Sequence, residues 1–238
     1  MIVDTPAIVI RTTKFGNTSL IVNLFTREKG NQSFMIKNAY SKKSKFNVSL
    51  FNPLSILNIT YNDNNKNTLK YFTDISIHYH RNDILFDPIR NSILFFYNEI
   101  LYKLLSDFGQ DVELFEFMKS EIEDVNLTSD NHLANLPLFF IIKLTDKLGY
   151  YPQDNYSSNN IFFNLQEAKF GDIFIESPYI MNKIESEYFH NLLSKDDYFS
   201  IPYNIRSSLL KKLVTYLQIN NEHIRKIDSL EILNTLLR

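Results

Sequence analysis

The 238-residue chain has no cysteine, and only five glycines and seven prolines. Without cysteine there can be no disulfide, no thiolate zinc site, no iron–sulfur cluster and no cysteine nucleophile. The glycines stand at positions 16, 30, 109, 149 and 171, too far apart for a Walker loop or a dinucleotide fingerprint, so nucleotide hydrolysis is not expected. Long hydrophobic runs are missing too. No window holds the roughly 18 uncharged apolar residues that span a bilayer, and residues 1–6 lack a basic stretch followed by an apolar one. A soluble cytoplasmic protein without a membrane role is the expectation. Hydrophobic residues make up 44% of the chain, enough for one large core or two modest ones without metal or disulfide staples.

Charge of one sign is scarce locally. Residues 1–80 hold ten Lys or Arg against four acids, a surplus of six, while the remaining 15 bases and 23 acids leave a deficit of eight. Such a split points to one domain facing a polyanion and another facing something else, because clustered charge and counterion release drive phosphate binding. The stretch 29–62 contains Lys29, Lys37, Lys42, Lys43 and Lys45 and no acid. Placed in a loop between strands, these ammonium groups can follow a phosphate backbone while Tyr40 or Phe46 offers a face for base stacking. The alternative is a solvated lysine-rich loop on a protein-interaction adaptor that binds no DNA.

Other candidate chemistry is sparse. His78 and His80 are two apart, a spacing that puts both rings on one face of a strand, but only Asp74 and Asp83 lie near them in sequence, which is too few for a metal site. Glu121, Glu123 and Asp124 have no base beside them and read as a solvated helix face. No catalytic residue, metal or cofactor is expected. The aromatic residues Phe95, Phe96, Tyr97 and Tyr102 recur at helical spacing and are expected in a core.

The pattern is α+β. Short β-rich runs at 7–13, 20–26, 32–37, 54–61 and 69–80 are punctuated by turn signals around Gly16 and Gly30. Five strands in so short a segment fit a small closed barrel of the oligonucleotide-binding (OB) type, with an SH3-like barrel or a sandwich fragment as alternatives. Beyond residue 80 the period becomes helical: Asp87-Pro88 opens a first helix, Asp111 a second, and a third runs from about 136 to 148 and stops at Gly149. Residues 150–184 are irregular with two possible strands, 161–165 and 170–175, and helices resume at 185–193, 202–219 and 229–237. The domain reading is therefore an OB barrel over 1–80 and an all-α helical bundle over 81–238, carrying a small β-hairpin appendage at 150–184.

Several segments resemble one known family across nearly the whole chain. They are Ile8-Val9-Ile10-Arg11-Thr12, Phe15-Gly16-Asn17-Thr18-Ser19-Leu20-Ile21-Val22, Leu24-Phe25-Thr26-Arg27-Glu28-Lys29-Gly30, Lys37-Asn38-Ala39-Tyr40-Ser41-Lys42-Lys43-Ser44 and Leu50-Phe51-Asn52-Pro53-Leu54, followed by Tyr97-Asn98-Glu99-Ile100-Leu101 and Lys147-Leu148-Gly149-Tyr150. Together they resemble the bacterial RecO family of recombination mediators. The resemblance implies a non-enzymatic protein of the nucleoid that binds single- and double-stranded DNA, anneals complementary strands, and works with RecR on DNA coated by single-strand-binding protein, touching the recombinase filament indirectly. By position it implies DNA contacts at Arg11, Lys14, Arg27, Lys29, Lys37, Tyr40, Lys42, Lys43 and Lys45. It also implies a docking site for the C-terminal tail of single-strand-binding protein on the third helix, around Leu138, Phe139, Lys143 and Lys147.

Two departures from the family pattern stand out. Asn38-Ala39-Tyr40 occupies the place of a usual Gly-Ala-Arg, which removes one cation. Many relatives also carry four cysteines after Leu-Gly-Tyr, where residues 151–186 here have none. The appendage is expected to be held instead by packing of Phe162, Phe163, Phe170 and Phe174.

Overall fold

In the computed structural model, residues 1–42, 44–63, 69–78, 86–105, 108–194 and 199–238 are described. Lys43 and His80, both singled out above, lie outside this set, as does Asp83. By internal packing the chain forms two compact units, residues 1–87 with 98–126, and residues 88–97 with 127–238. The two units interleave along the chain, residues 98–126 of the helical region packing with the barrel.

The first unit begins with β1 (Ile2–Phe15), β2 (Ser19–Thr26) and β3 (Gly30–Ile36), joined by two three-residue turns. Gly16 and Gly30 take positive φ there, +60° and +62°, which a residue without Cβ adopts freely. A loop and a short 3-10 turn (Val48–Phe51) lead to β4 (Ile56–Asn62), which pairs with the first half of β1. Two further strands, β5 (Leu69–Lys70) and β6 (Phe72–Ile77), are separated by Tyr71 alone. The strand order is β5-β3-β2-β1-β4-β6. Since β5 runs parallel to β3 while β6 runs antiparallel to β4, one nearly continuous segment joins both ends of the sheet and closes it. This closure is the OB arrangement, and the fold is α+β as expected.

The barrel core holds Val3, Ala7, Val9, Val22, Leu24, Phe34, Leu57, Ile59 and Tyr61. Alternation along β1 is broken by a bulge between Val9 and Arg11. The extra residue, Ile10, is itself buried, and side chains beyond it swap faces. Without the bulge Arg11 would share the inward face of Val9; with it, Arg11 points outward and Lys14 falls on the inward row beside Leu20 and Ile36.

Helix α1 (Pro88–Leu104) contributes Ile100, Leu101 and Leu104 to the first unit, and α2 (Val112–Leu127) lays Phe115 against Phe25 on the outer barrel wall, ring centroids 6.4 Å apart. Asp111 caps α2, its carboxylate accepting from the Leu114 amide at 2.9 Å. Of the four aromatics expected in a core, Phe96 and Tyr97 are buried, but Phe95 and Tyr102 are exposed. Seven residues apart, these two fall on the same side of α1.

In the second unit, a one-turn helix α3 (Asp130–Leu133), absent from the sequence reading, precedes α4 (Leu136–Lys147). Helices α5 (Lys183–Ser194), α6 (Tyr203–Asn220) and α7 (Ser229–Leu236) follow, with α6 packed on α4 and α5. The appendage is a two-stranded sheet of β7 (Phe162–Asn164) and β8 (Lys169–Gly171). Strand β8 ends well before Ile175, leaving Ile173, Phe174 and Ile175 exposed. Phe163 and Phe170 are buried against Phe189 of α5, whereas Phe174 is exposed and leans on Phe162, ring centroids 5.1 Å apart. Polar clamps complete the work expected of Phe174. The Asn155 side chain donates to the Phe170 carbonyl at 3.0 Å and accepts from its amide at 2.8 Å, as a neighbouring strand would. Among the described residues, no helix is long and apolar enough to cross a membrane.

Candidate nucleic-acid interface

The register of the barrel decides which cations meet. Lys14, Leu20 and Ile36 form one row across β1, β2 and β3, so the ends of β1 and β3 lie at the same rim. The loop that follows Ile36 carries Lys37, Tyr40, Lys42 and Lys45 over this rim. The loop is anchored at several points. Asn38 turns with φ +52° and Ala39 is buried. The Ser41 amide donates to the Asn38 carbonyl at 3.0 Å, and the Ser44 amide to the Ser41 carbonyl at 2.9 Å. Phe46 closes the loop by packing edge-on against Phe72, 6.0 Å between centroids, and Phe72 in turn stacks on core Phe34 at 4.3 Å. Phe46 therefore serves the core, and of the two stacking faces expected in this loop Tyr40 is the open one, 53% exposed.

Cations and rings alternate along the rim. The Lys14 ammonium stands 5.8 Å from the centre of the Tyr40 ring, Lys37 stands 5.2 Å from Tyr71, and Lys45 stands 5.2 Å from Phe46 while donating to the Thr73 carbonyl at 2.5 Å. Lys42 is exposed. Among the described residues, no carboxylate lies within ion-pair distance of Lys14, Lys37, Lys42 or Lys45, so the rim keeps its positive charge. Sequence reasoning missed Tyr71, because its exposure follows from the interruption between β5 and β6 rather than from any local pattern.

The remaining cations are placed otherwise. Arg27 and Lys29 sit in the β2–β3 turn, at the opposite end of β2 from Leu20, about 20 Å away at ordinary strand rise. Arg27 is also balanced: its guanidinium donates to Glu116 of α2 at 2.6 Å and to Glu28 at 3.0 Å. Those two hydrogen bonds, Glu116 first, hold its pKa above the usual value. Arg11 lies on the barrel flank, hydrogen-bonded to the Tyr102 hydroxyl with its guanidinium carbon 5.0 Å from that ring's centre. His78 makes a 3.0 Å hydrogen bond to Asn58.

On α4, the four residues expected at a docking site separate. Leu138 is fully buried, Phe139 is half-buried, and Lys143 and Lys147 are exposed one turn apart.

Residues 1–80 match the family model described as recombination protein O N terminal, and residues 85–161 match recombination protein O C terminal. The chain is 30% identical over 240 residues to the DNA repair protein RecO of Flavobacterium psychrophilum, covering 98% of both chains. It is 27% identical to that of Christiangramia forsetii, again over 98% of each, and 24% identical to that of Azobacteroides pseudotrichonymphae over 99% of each. With an OB barrel followed by helices, and similarity running from end to end, the chain belongs to the RecO family of DNA repair proteins.

Proposed function

We propose that the chain acts by binding rather than by catalysis, as a recombination mediator whose barrel rim grips the sugar–phosphate backbone of single- and double-stranded DNA through Lys14, Lys37, Lys42 and Lys45, joined by Lys43, which falls between the last two in sequence. The observation that carries this reading is the gathering of four cations at one rim with no carboxylate to neutralise them among the described residues, beside the open ring of Tyr40. Counterions released from DNA by such a rim supply sequence-independent affinity. Arg11 and Lys29 extend the grip along the flank and the far turn, and Arg27, its charge already balanced, contributes least. By the same reading the chain anneals complementary strands and promotes recombinase loading together with RecR. Lys143 and Lys147, with Phe139 beside them on α4, receive the acidic tail of single-strand-binding protein; Leu138 supports that helix from the core.

The test is the salt dependence of binding to a fluorescently labelled oligothymidylate. Replacing Lys37, Lys42 and Lys45 with Ala lowers the slope of log affinity against log salt by about 2, since each phosphate contact on a single strand accounts for about 0.7. Arg27→Ala leaves the slope as it was. An unchanged slope in the triple variant rejects the rim as the DNA grip.

A further inference from the structure

We infer that Phe15 and Tyr71, linked by Ile21 and Met35, form a base-stacking platform on the outer wall of the barrel, and that this platform makes the protein favour single-stranded over duplex DNA. The inference rests on the rim being a DNA grip and adds what sets its strand preference.

The bulge at Ile10 fixes which side chains face outward. Beyond it Thr13 pairs with Ile21 and Ile21 with Met35, one outward row, while Phe15 pairs with Ser19 one step nearer the rim. The row continues onto Tyr71, whose hydroxyl donates to the Met35 sulfur at 3.8 Å. Phe15 is 53% and Tyr71 47% exposed, and Ile21 and Met35 are half-buried. Farther along the same wall, Phe25 is fully buried, stacked on Phe115 of α2. Helix α2 thus covers one end of the wall, and the end nearest the lysines keeps its rings in water.

Charge identifies the occupant. Strands β2 and β3 carry no acid, and the one acid of β1, Asp4, lies at its far end. Lys37 holds its ammonium over Tyr71, and Lys14 sits next to Phe15 in the chain. A ligand lying here must present flat apolar faces and negative charge together, at short intervals. That is the chemistry of an unpaired nucleic-acid strand, whose bases stack on aromatic rings while its phosphates meet lysines. From β1 to β5 is three strand spacings, about 14 Å, room for more than one base. A duplex keeps its base faces inside the helix and offers phosphates alone, so it uses the lysines but not the platform.

The test compares full-length wild type with Phe15→Leu, Tyr71→Leu, the two combined, and Tyr71→Phe. Binding is measured by anisotropy with oligothymidylate and with the same strand annealed to oligodeoxyadenylate, at several salt concentrations. The expected result is a loss of about fivefold or more in single-strand affinity for each ring removed, with duplex affinity and both salt slopes unchanged and Tyr71→Phe close to wild type. Equal losses on both probes, no loss on either, or a Tyr71→Phe as weak as Tyr71→Leu overturns the platform. If wild type binds both probes and the leucine variants match it, the platform fails while the lysine grip stands. If wild type binds neither, the grip fails and the platform with it.

Discussion

Gly30 and Gly109 approach so closely that a Cβ added to Gly30 would stand 2.3 Å from the Gly109 carbonyl oxygen and 2.7 Å from the Gln110 amide nitrogen. The turn joining β2 to β3 is therefore pressed against the residues that lead into α2, backbone to backbone.

Gly30→Ala is accordingly expected to be strongly destabilising. Its φ of +62° alone costs an alanine about 1–2 kcal/mol, and neither clashing atom belongs to a side chain that can swing away. Gly16→Ala makes the control: φ is +60° there, but nothing lies within 4 Å, so only the conformational cost remains. Urea unfolding of both variants should rank Gly30→Ala well below Gly16→Ala; equal stability would show that the approach of residues 109–110 does not constrain the fold.

Alkaline stability follows from two buried tyrosines. Burial pushes the Tyr61 hydroxyl up to about 12, with the charge of Asp63 adding to it, and burial alone pushes Tyr216 up to about 12. In the unfolded chain both ionise near the ordinary value of 10. The folded state thus binds more protons between pH 10 and 12, and its stability is full below pH 10 and lost as pH rises through 12. Tyr61→Phe and Tyr216→Phe should each flatten the decline in unfolding free energy over that window. Curves parallel to wild type would refute the assignment.

Lys212 of α6 is expected to hold the appendage in place. Its ammonium donates to the carbonyls of Ser177, Pro178 and Ile180 at 3.1, 3.2 and 2.6 Å. The same segment pairs with β7 through the Leu165 amide on the Tyr179 carbonyl and the Met181 amide on the Phe163 carbonyl. Lys212→Met keeps the apolar stem and removes the donors, at a cost of about 1–3 kcal/mol for carbonyls left without a charged partner. Hydrogen exchange should quicken at Leu165 and Met181 while α4 and α6 keep their protection; undiminished protection at both amides would show that the clamp is dispensable.

Much of the secondary structure was legible from local signals. Gly16 opens the first turn and Gly30 closes the second, Asp111 caps the helix it announces, and Pro88 begins α1 at its first residue. The strand ends were less so. A strand is expected over 170–175, yet β8 stops at Gly171, and Ile173, Phe174 and Ile175 face solvent. Apolar composition alone cannot say whether a neighbouring strand is present to accept hydrogen bonds.

The amino-acid sequence by itself determined that the first third would be β-rich and cationic, the remainder helical and acidic, and the loop after β3 crowded with lysine. These properties depend on neighbours in the chain, through turn geometry, helix caps and periodicity. Only the tertiary structure decided which charges lie together. One inserted residue at Ile10 turned Arg11 outward onto Tyr102 and left Lys14 at the rim, the strand break at Tyr71 closed the barrel and exposed a ring, and Glu116, 89 residues from Arg27, balanced a cation that looked free. Each outcome depends on strand register or on groups far apart in sequence, and such pairings are fixed only when the whole unit packs.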